Sequence, residues 1–444
     1  MKRILIVAEY FAPNNHIASI RTSKLAKYFK LKGKYHVSVV SRSLRIDEFI
    51  DPVLQNDLQY VDEHIIIKDS WIMQKLYHLY YKLAVAKRKK IDKKVHSDAV
   101  VGSSTKKIYG FLLNLTRNYV YHSFLFLITK NYAKKAINNI KKKVDNYDIV
   151  LTSSGPFSAD IIGCAIKKVK PTVLWIADYR DPLKNSFIEK RYHQYYEALI
   201  NKVAENADII TGISDACTAA FEKYCSEKIH LVHNGFDCDD IKNIHQEKDC
   251  KFTLTYAGAL YTGKRDISIV FKAIAELIKE NKIDENNIII NYLGHDILYL
   301  NQQANAHNLI NIIKTHGRVN REKSLQFQLS CDILLLASWN NVNDTGVITG
   351  KFLEYMMMNK PIICTVTGNL PNSALKEMIN NANNGIVWEQ ANNEIDYLPM
   401  KEYILEQYKR YANGLPLDFT PNKEYINRFQ YDEIVNKFIG LIEY

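Results

Sequence analysis

The sequence predicts an α/β protein of two Rossmann-like, doubly wound lobes that face each other across a cleft, with a basic helical insertion in the N-terminal lobe. Three observations lead to this prediction. The chain has 444 residues, which exceeds the usual size of one hydrophobic core and favours two domains of roughly 200 residues each. Short apolar runs alternate with amphipathic helical patterns. A polar, charged stretch near residues 234–251 separates two such series.

Each series contains enough strands for its own parallel sheet. The first series comprises Arg3–Ala8, Tyr35–Ser41, Ile65–Ile67, Ile149–Ser153, Thr172–Ala177, Ile209–Ile213 and Ile229–Val232. The second comprises Thr253–Tyr256, Ile288–Leu293, Ile310–Thr315, Ile333–Ala337, Pro361–Thr365 and Gly385–Trp388. We therefore expect an N-terminal lobe at 1–235, a C-terminal lobe at 250–420 and a final helix at 421–444 that packs back toward the first lobe.

The region from about 70 to 145 interrupts the alternation with aromatic-rich helical stretches and no clear strand. Its basic cluster, Lys87–Lys94, contains six cations and one acid, Asp92. Cations beside aromatic and apolar side chains suit a helix that lies on an anionic membrane surface, and we expect such contact through about 71–143. A solvated helical hairpin that covers the first sheet is the alternative interpretation.

The composition excludes several classes of protein. With 47% hydrophobic and 24% charged residues, the chain is not disordered as a whole. The net charge of +11 favours an anionic partner, but no nucleic-acid-binding module is recognisable, so no nucleic acid is expected. Seven cysteines without a CxxC pair indicate reduced thiols. The N-terminus is typical of a first strand, and no apolar run is long enough to span a bilayer. We therefore expect a cytoplasmic protein, peripheral at the inner face of the cell membrane.

Polar residues follow the first predicted strand. The turn Glu9–Pro13 precedes Asn14, Asn15 and His16, and a helix begins near Ile17. A helix N-terminus at the carboxyl end of a strand favours a bound phosphate. The dinucleotide pattern GxGxxG is absent after this strand, which argues against a nicotinamide or flavin enzyme. An ordinary strand-to-helix turn is the alternative.

Two carboxylates and a guanidinium follow the fifth predicted strand. In Trp175–Pro182, Asp178, Arg180 and Asp181 lie at the carboxyl end of an apolar run, and Pro182 enforces a turn. Asp178 is a candidate contact for a sugar hydroxyl. A structural pair between Arg180 and Asp181 would explain the same residues.

The second lobe opens with a strand, a glycine turn and two cations. Gly258 relaxes the backbone, Lys264 and Arg265 lie where a pyrophosphate could meet them, and Asp266 is a plausible N-cap. Two cations at a helix start are unfavourable unless an anion compensates them. A diphosphate leaving group fits this pattern better than a solvated surface does.

A last constellation surrounds the start of a helix at Thr349. Thr349, Gly350 and Lys351 can offer a hydroxyl, amides and an ammonium group to a phosphate, and Glu354 can accept from ribose hydroxyls. A capped surface helix is the alternative. The neighbouring run Met356–Met358 is expected in the core.

Together these segments resemble family 4 of the retaining glycosyltransferases, which have the two-lobed GT-B fold. The resemblance runs nearly end to end, through YFAP, WxxDYRDP, YAGxLYxGKRD and TGKFLEY. It implies a nucleoside-diphosphate sugar held mainly by the second lobe and an acceptor held by the first. It also implies that Lys264 or Arg265 binds the diphosphate, that Glu354 binds ribose, that the base stacks near Gly317–Val319, and that Asp178 contacts the donor sugar.

The expected site residues fall into three groups. Those expected to be catalytic are Asp178, Lys264 and Arg265. Those expected to bind the donor are Asn14, Asn15, Gly258, Arg318, Val319, Gly346, Val347, Ile348, Thr349, Gly350, Lys351 and Glu354. Those expected on the acceptor side are His16, Arg21, Arg180 and Asp181.

Two positions depart from the family's pattern. Gly346 replaces the first glutamate of its paired motif, eight residues before Glu354, and Asn14-Asn15 replace the glycine pair of the first-lobe turn. No clustered Asp-x-Asp site at a strand end is present, so neither a metal nor another cofactor is expected. The expected activity is sugar transfer from the nucleotide sugar to a membrane-linked glycan or lipid in surface polysaccharide synthesis. A sugar-nucleotide epimerase or hydrolase of the same fold, and a catalytically silent sugar-nucleotide-binding subunit, are the alternatives.

Overall fold

The computed structural model describes residues 1–46, 48–78, 81, 104–184, 188–342 and 349–443, without the side chains of 104–121 and 262. The chain divides into two compact units. The first comprises Met1–Val232 and Phe438–Tyr444, and the second comprises His233–Lys437. The basic cluster Lys87–Lys94 lies outside the described residues.

The first unit is built on a seven-stranded parallel sheet with the strand order β3-β2-β1-β4-β5-β6-β7. Its strands are β1 Lys2–Ala8, β2 Tyr35–Arg42, β3 Glu63–Ile67, β4 Ile149–Ser154, β5 Leu174–Tyr179, β6 Ile209–Gly212 and β7 Ile229–Leu231. The central strands are apolar runs because helices cover a parallel sheet on both faces. The order reverses between β1 and β4, where ligands of such sheets bind.

The helices of the first unit lie between these strands. They are α1 Ile17–Leu31, α2 Pro52–Gln55, α3 71–78, α4 Ser104–Ile140, α5 Ser158–Val169, α6 His193–Asn206, α7 Asp215–Thr218 and α8 Glu222–Cys225. The described parts of the predicted insertion, α3 and α4, are helical, as the sequence predicts. None of the helices in the described part of the chain is long and apolar enough to cross a membrane.

The second unit has a six-stranded parallel sheet with the order β10-β9-β8-β11-β12-β13. Its strands are β8 Phe252–Ala257, β9 Ile288–Leu293, β10 Ile313–Thr315, β11 Ile333–Trp339, β12 Ile362–Thr367 and β13 Gly385–Glu389. Its helices are α9 Ser268–Lys279, α10 Ile297–Asn305, α11 Arg321–Ser330, α12 Gly350–Met358, α13 Ala374–Ala382, α14 Asn393–Ala412 and α15 Lys423–Asn427. The last helix, α16 Tyr431–Glu443, begins in this unit and ends in the first.

The two sheets confirm the predicted fold class, two Rossmann-like parallel sheets with helices. The strand bounds differ from the predicted ones by a few residues. β5 begins at Leu174 rather than Thr172 because Lys170–Val173 forms a turn, in which the amide of Val173 donates to the carbonyl of Lys170 at 3.2 Å. β10 is limited to Ile313–Thr315 because Ile310–Ile312 forms a 3-10 turn. Apolar periodicity marks a strand's centre better than its ends.

A glycine allows α5 to pack directly on the first sheet. A Cβ atom at Gly163 would overlap the indole ring of Trp175. Trp175 is fully buried, and its Nε1 donates to Oγ1 of Thr152 at 2.9 Å. The indole therefore has one fixed position, and only a residue without a side chain fits above it.

Gly163→Ala is expected to lower the free energy of unfolding by about 1–3 kcal/mol, because the added methyl group overpacks the core. Urea denaturation followed by circular dichroism measures this change. Gly440→Ala in α16 is the matched control, since no described atom beyond its chain neighbours and the backbone of its own helix lies within 4 Å of its Cβ position. Alanine there should leave stability unchanged or raise it by up to about 1 kcal/mol. A Gly163→Ala protein as stable as the control would contradict this packing.

Candidate functional site

The turn after β1 is held by the segment that follows β2. Oδ1 of Asn14 accepts from the amide of His16 at 2.9 Å, and Asn14 itself is buried. The amide of Asn15 donates to the carbonyl of Phe49 at 3.0 Å, and Oδ1 of Asn15 accepts from the amide of Phe49 at 3.4 Å. Both side chains therefore shape the turn. Asn15 also remains exposed, so it stays the better candidate of the two for a ligand contact.

His16 caps α1 at the carboxyl end of β1. Its Nδ1 accepts from the amide of Ala18 at 3.1 Å, and its ring stacks on Tyr10 with centroids 4.0 Å apart. Partial loss of solvent around the ring, and then the charge of Arg180, lower the pKa of His16. The ring is therefore neutral near pH 7. Because Nδ1 makes the capping hydrogen bond, Nε2 is the ring nitrogen that could contact a ligand.

Asp178 and Arg21 form a buried ion pair. Nε and Nη2 of Arg21 donate to the two carboxylate oxygens of Asp178 at 2.8 and 2.7 Å, and the hydroxyl of Thr211 donates to Oδ1 at 2.8 Å. Nη2 of Arg21 also donates to the carbonyl of Val232 at 3.0 Å. Asp178 is 0% exposed and Arg21 is 2% exposed.

This geometry corrects two expectations. Asp178 was expected to contact a donor sugar and Arg21 an acceptor, but the two side chains bond to each other and both are out of reach of solvent. The pair therefore positions the ends of β5 and β6 and does not offer groups to a ligand. Sequence spacing alone does not reveal it, because the two residues lie 157 positions apart.

Arg180 and Asp181 adopt different roles after β5. Nη2 of Arg180 donates to the carbonyl of Gly155 at 2.6 Å, so its direct partner is the backbone rather than the predicted Asp181. Burial lowers the pKa of Arg180, and the charges of Asp178 and Asp181 oppose this shift. Asp181 is exposed and lines a cavity, which keeps it available to an acceptor.

That cavity has a volume of about 400 Å³ and lies at the carboxyl ends of β1, β4 and β5, within the range of small-molecule sites. Its polar lining includes Glu9, Tyr10, Arg45, His122, Thr129, Ser154, Asp181 and Glu189. Its apolar lining includes Leu125, Phe126, Ile128, Phe157, Leu183, Ile188, Tyr192 and Tyr196. Of these residues, Asp181 is the one that the sequence predicted as a site residue.

A buried charge network supports the polar side of this cavity. Glu9 accepts from the hydroxyl of Ser158 at 2.8 Å and lies 3.5 Å from Nε of Arg42. Nη2 of Arg42 lies 2.6 Å from Oε1 of Glu48, and Nε of Arg45 lies 3.1 Å from Oδ2 of Asp69. Arg42 is the last residue of β2, the neighbour of β1, and Arg45 follows it. Charged residues at the carboxyl end of β2 were therefore the sequence signal that could have predicted both as part of the site.

In the second unit, Lys264 and Arg265 meet at the carboxyl ends of β8, β11 and β12. Both cations lie over the ring of Trp339, at 5.6 Å for Nζ of Lys264 and 5.5 Å for Cζ of Arg265. The carbonyl of Lys264 accepts from the hydroxyl of Thr367 at 2.7 Å. Lys264 is exposed and Arg265 is half-buried. The structure therefore brings the two predicted cations together at the point where this sheet's strand order reverses.

Arg265 has unused hydrogen-bonding capacity. Its Nη1 donates to the carbonyl of Ala259 at 3.3 Å, and its guanidinium lies 4.6 Å from the ring centroid of Tyr261. Its Nε is buried and has no hydrogen-bond partner among the described residues. A buried donor without a partner is costly, so an anion that accepts from this group would stabilise the site.

The loop that carries these cations depends on a close backbone approach. Gly258 has φ of +150°, and a Cβ atom at Gly294 would overlap the carbonyl oxygen of Gly258. Oδ2 of Asp296 accepts from the amide of Leu260 at 2.6 Å. Gly258 was predicted, whereas Gly294 and Asp296 were missed because they follow the neighbouring strand β9.

The start of α12 matches the predicted constellation where it is described. Oγ1 of Thr349 accepts from the amide of Phe352 at 3.3 Å, and Gly350 is exposed. Oε1 of Glu354 accepts from Nζ of Lys351 at 2.5 Å and from Nε2 of Gln328 at 2.7 Å. The hydroxyl of Tyr355, the next residue of α12, accepts from the amide of Ala257 at 3.0 Å and ties this helix to the end of β8.

Charge keeps Glu354 ionised. Burial by itself raises the pKa of Glu354, but the charges of Lys351 and Arg321 outweigh burial and hold the pKa below its usual range. Neither of the two bonds above uses Oε2. The carboxylate can therefore accept from a ligand hydroxyl through its second oxygen.

The remaining donor candidates are less constrained. Arg318 is exposed and Val319 is half-buried in the loop after β10, where Gly317 has φ of +66°. Gly346, Val347 and Ile348 lie outside the described residues. The described part of the chain holds no group of three or more His, Cys, Asp or Glu side chains arranged for a metal, and metal independence stays a prediction.

Asp178→Ala is expected to lower the free energy of unfolding by about 3–5 kcal/mol, because it leaves the Arg21 guanidinium buried without its counter-ion. Urea denaturation measures this loss. The double variant Arg21→Met/Asp178→Leu should recover much of it by replacing the pair with apolar groups. An Asp178→Ala protein that keeps its stability but loses activity would instead favour the ligand contact predicted from the sequence.

Residues 251–397, within the second unit, match the family model described as Glycosyl transferases group 1. A search of curated proteins gave no match to the chain.

Solved structures of similar fold cover the whole chain. Sucrose-phosphate synthase from Thermosynechococcus elongatus is 11% identical with a TM-score of 0.56, and the match covers 100% of this chain and 98% of that one. An α,α-trehalose-phosphate synthase (UDP-forming) from Burkholderia vietnamiensis is 9% identical with a TM-score of 0.55, with 100% of both chains covered. A UDP-N-acetylglucosamine 2-epimerase is 9% identical with a TM-score of 0.50, covering 100% of this chain and 97% of that one.

At these identities, the structural similarity concerns the fold. The fold is GT-B, with two Rossmann-like parallel sheets as in the two synthases. Together with the match of residues 251–397 to Glycosyl transferases group 1, it supports a GT-B glycosyltransferase.

Proposed function

We propose that the chain is a retaining glycosyltransferase of family 4 that works without a metal ion. It transfers a sugar from a nucleoside-diphosphate sugar to a membrane-linked glycan or lipid acceptor. The reaction belongs to the synthesis of a bacterial surface polysaccharide and takes place at the cytoplasmic face of the membrane.

The pair Lys264 and Arg265 carries this proposal. The two cations lie side by side at the carboxyl edge of the second sheet, inside the matched family segment. Nε of Arg265 is buried without a partner among the described residues. Glycosyl transfer develops negative charge on the departing diphosphate, and fixed cations at that point stabilise the transition state more than the ground state.

Glu354 and Lys351 suit the nucleoside part of the donor. The charge of Lys351 keeps the Glu354 carboxylate ionised, and its Oε2 is not used by Lys351 or Gln328. A carboxylate oxygen in this state accepts strongly from a hydroxyl group. We assign it to a ribose hydroxyl of the donor.

The proposed reaction needs no protein nucleophile. The acceptor oxygen bonds to the anomeric carbon as the bond from that carbon to the diphosphate oxygen breaks, and the electron pair of that bond stays with the diphosphate. The acceptor proton passes to an oxygen of the departing phosphate. Lys264 and Arg265 balance the charge that collects there.

An epimerase or hydrolase is the second candidate, because the fold is shared with a UDP-N-acetylglucosamine 2-epimerase. A catalytically silent binding subunit is the third candidate, because Gly346 replaces a glutamate of the family motif.

Turnover of nucleotide sugars with and without acceptor separates these three candidate functions. Acceptor-dependent product supports the transferase, acceptor-independent conversion supports an epimerase or hydrolase, and binding without product supports the subunit.

Lys264→Ala/Arg265→Ala is expected to reduce transfer by at least 100-fold, since two groups that stabilise the leaving diphosphate are lost. Release of nucleoside diphosphate in the presence of acceptor measures the rate. Lys272→Ala/Lys279→Ala removes the same charge from exposed positions on α9 and should keep full activity. Equal activity of the two double variants would remove the diphosphate assignment.

The proposed membrane contact is supported by α3. Trp71, Ile72 and Leu76 are 67%, 59% and 42% exposed. Nζ of Lys75 lies 3.9 Å from the ring centroid of Trp71. Exposed aromatic and aliphatic side chains beside a cation suit the interface of an anionic bilayer.

Trp71→Ala is expected to weaken binding to vesicles that contain phosphatidylglycerol by about five- to tenfold, because a large interfacial side chain is lost. Vesicle co-sedimentation at low and high salt measures it. Tyr224→Ala is a matched control in the same unit, since Tyr224 is 41% exposed and Lys223 lies 4.5 Å from its ring. A Trp71→Ala protein that sediments like wild type would leave α3 as a solvated helix.

A further inference from the structure

The cavity of the first unit has two chemically different ends. Its polar end is formed by Glu9, Arg45, Ser154 and Asp181, at the carboxyl edge of the sheet. Its other end is formed mainly by aromatic and aliphatic side chains from α4, α6 and the loops between them, with the polar side chains of His122, Thr129 and Glu189 beside them. The apolar side chains are those of Leu125, Phe126, Phe157, Leu183, Ile188, Tyr192 and Tyr196. A ligand that fills the cavity must therefore itself be polar at one end and apolar at the other.

The polar end does not suit an anion. Three carboxylates line the cavity, those of Glu9, Asp181 and Glu189, and one guanidinium, that of Arg45. Glu9 lies 3.5 Å from Nε of Arg42, and Glu189 lies 2.6 Å from Nε of Arg191. Asp181 forms no ion pair among the described residues. Nε of Arg45 is 3.1 Å from Asp69, and its Nη2 is 3.9 Å from Glu9, so its charge is already balanced. A phosphate here would be repelled by the charge of Asp181, which no ion pair among the described residues balances.

The same groups suit hydroxyls. Nη2 of Arg45 is buried and has no hydrogen-bond partner among the described residues, so it can donate to a hydroxyl oxygen. The exposed carboxylate of Asp181 can accept from a hydroxyl proton. Hydroxyl groups both donate and accept, and an uncharged sugar therefore satisfies this end of the cavity without adding charge.

The apolar end is organised around Phe126. Its ring stacks on Tyr192 with centroids 4.4 Å apart and an interplanar angle of 17°, and it lies 5.2 Å from the ring of Phe157. Phe126 remains half-buried and lines the cavity. Its unburied surface is apolar area that a hydrocarbon group would remove from water.

We propose that this cavity binds an acceptor in which a hydrocarbon group is joined to an uncharged, hydroxylated head, as in a neutral glycolipid. The head lies at Arg45 and Asp181, and the hydrocarbon lies against Phe126 and Phe157. The proposal rests on the proposed transferase function and specifies its acceptor. It excludes an acceptor that places a phosphate group, between its sugar and its hydrocarbon, inside this cavity.

Binding of three small probes to the full chain tests the proposal. The probes are octyl glucoside below its micelle concentration, methyl glucoside, and octyl phosphate. Isothermal titration calorimetry gives the three dissociation constants without any nucleotide sugar. Octyl glucoside should bind at least tenfold more tightly than methyl glucoside, because burial of two methylene groups is worth about that factor. It should also bind at least tenfold more tightly than octyl phosphate.

Two adjacent residues of α4 provide a matched pair of variants. Phe126→Ala should weaken octyl glucoside binding at least fivefold and leave methyl glucoside binding unchanged. Leu127→Ala is the control, because Leu127 is 57% exposed and does not line the cavity. Phe126→Leu keeps an apolar side chain, and it replaces Phe126→Ala if that variant melts early. Asp181→Asn should weaken both glucosides by the same factor.

The outcomes separate this inference from the proposed function. Equal affinity for octyl glucoside and octyl phosphate, or octyl glucoside binding that Phe126→Ala and Leu127→Ala affect alike, would overturn the acceptor assignment even if sugar transfer is found. Absence of turnover with every nucleotide sugar would overturn the transferase proposal while the probe affinities still measure the cavity. Tight, Phe126-dependent binding of octyl glucoside supports the assignment in either case.

Discussion

The buried ion pair between Arg21 and Asp178 is the interaction on which the first unit's carboxyl edge depends. Through it, α1 is joined to β5, and the hydroxyl of Thr211 and the carbonyl of Val232 complete the network. The guanidinium also lies 5.7 Å from the ring of Phe438, which belongs to the end of α16. A buried pair of this kind adds little net stability, because desolvation of both charges offsets their attraction. Its directional bonds fix where the loop after β5 begins, and that loop carries Asp181 to the cavity.

The sequence predicts the architecture well because the relevant signal is local. A buried parallel strand must be a short apolar run, and the turns that follow such runs concentrate polar residues. Lys264 with Arg265, and Lys351 with Glu354, were therefore found as neighbours along the chain and are neighbours in space. The two members of each pair lie at most three positions apart along the chain, so periodicity and helix caps suffice to place them together. Their contacts with Trp339 and Gln328 join distant segments and were not predicted.

The site in the first unit could be predicted only in part, because its contacts join residues far apart along the chain. Asp178 looks like an exposed carboxylate at a strand end until Arg21 is seen beside it. Glu9 and Arg45 reach the cavity from the ends of different strands, and Phe126 comes from an insertion whose pattern suggested only a helix. A pairing of this kind depends on strand order and helix docking, which a single sequence does not encode in any local pattern.

The two units differ in the charge that each presents at its carboxyl edge, and this difference bears on selectivity. The second unit offers Lys264 and Arg265, and Nε of Arg265 has no hydrogen-bond partner among the described residues. Two cations at this edge would attract a diphosphate. The first unit's cavity is lined by Asp181, whose carboxylate forms no ion pair among the described residues, while its lining guanidinium, that of Arg45, is paired with Asp69. A nucleotide sugar carries about two negative charges, so the same feature that favours it in one unit opposes it in the other. An uncharged acceptor meets no such opposition in the first cavity. Under the proposed acceptor assignment, the charge of Asp181 would disfavour the donor in the first cavity, and the apolar surface at Phe126 would select among uncharged acceptors by the hydrocarbon they carry.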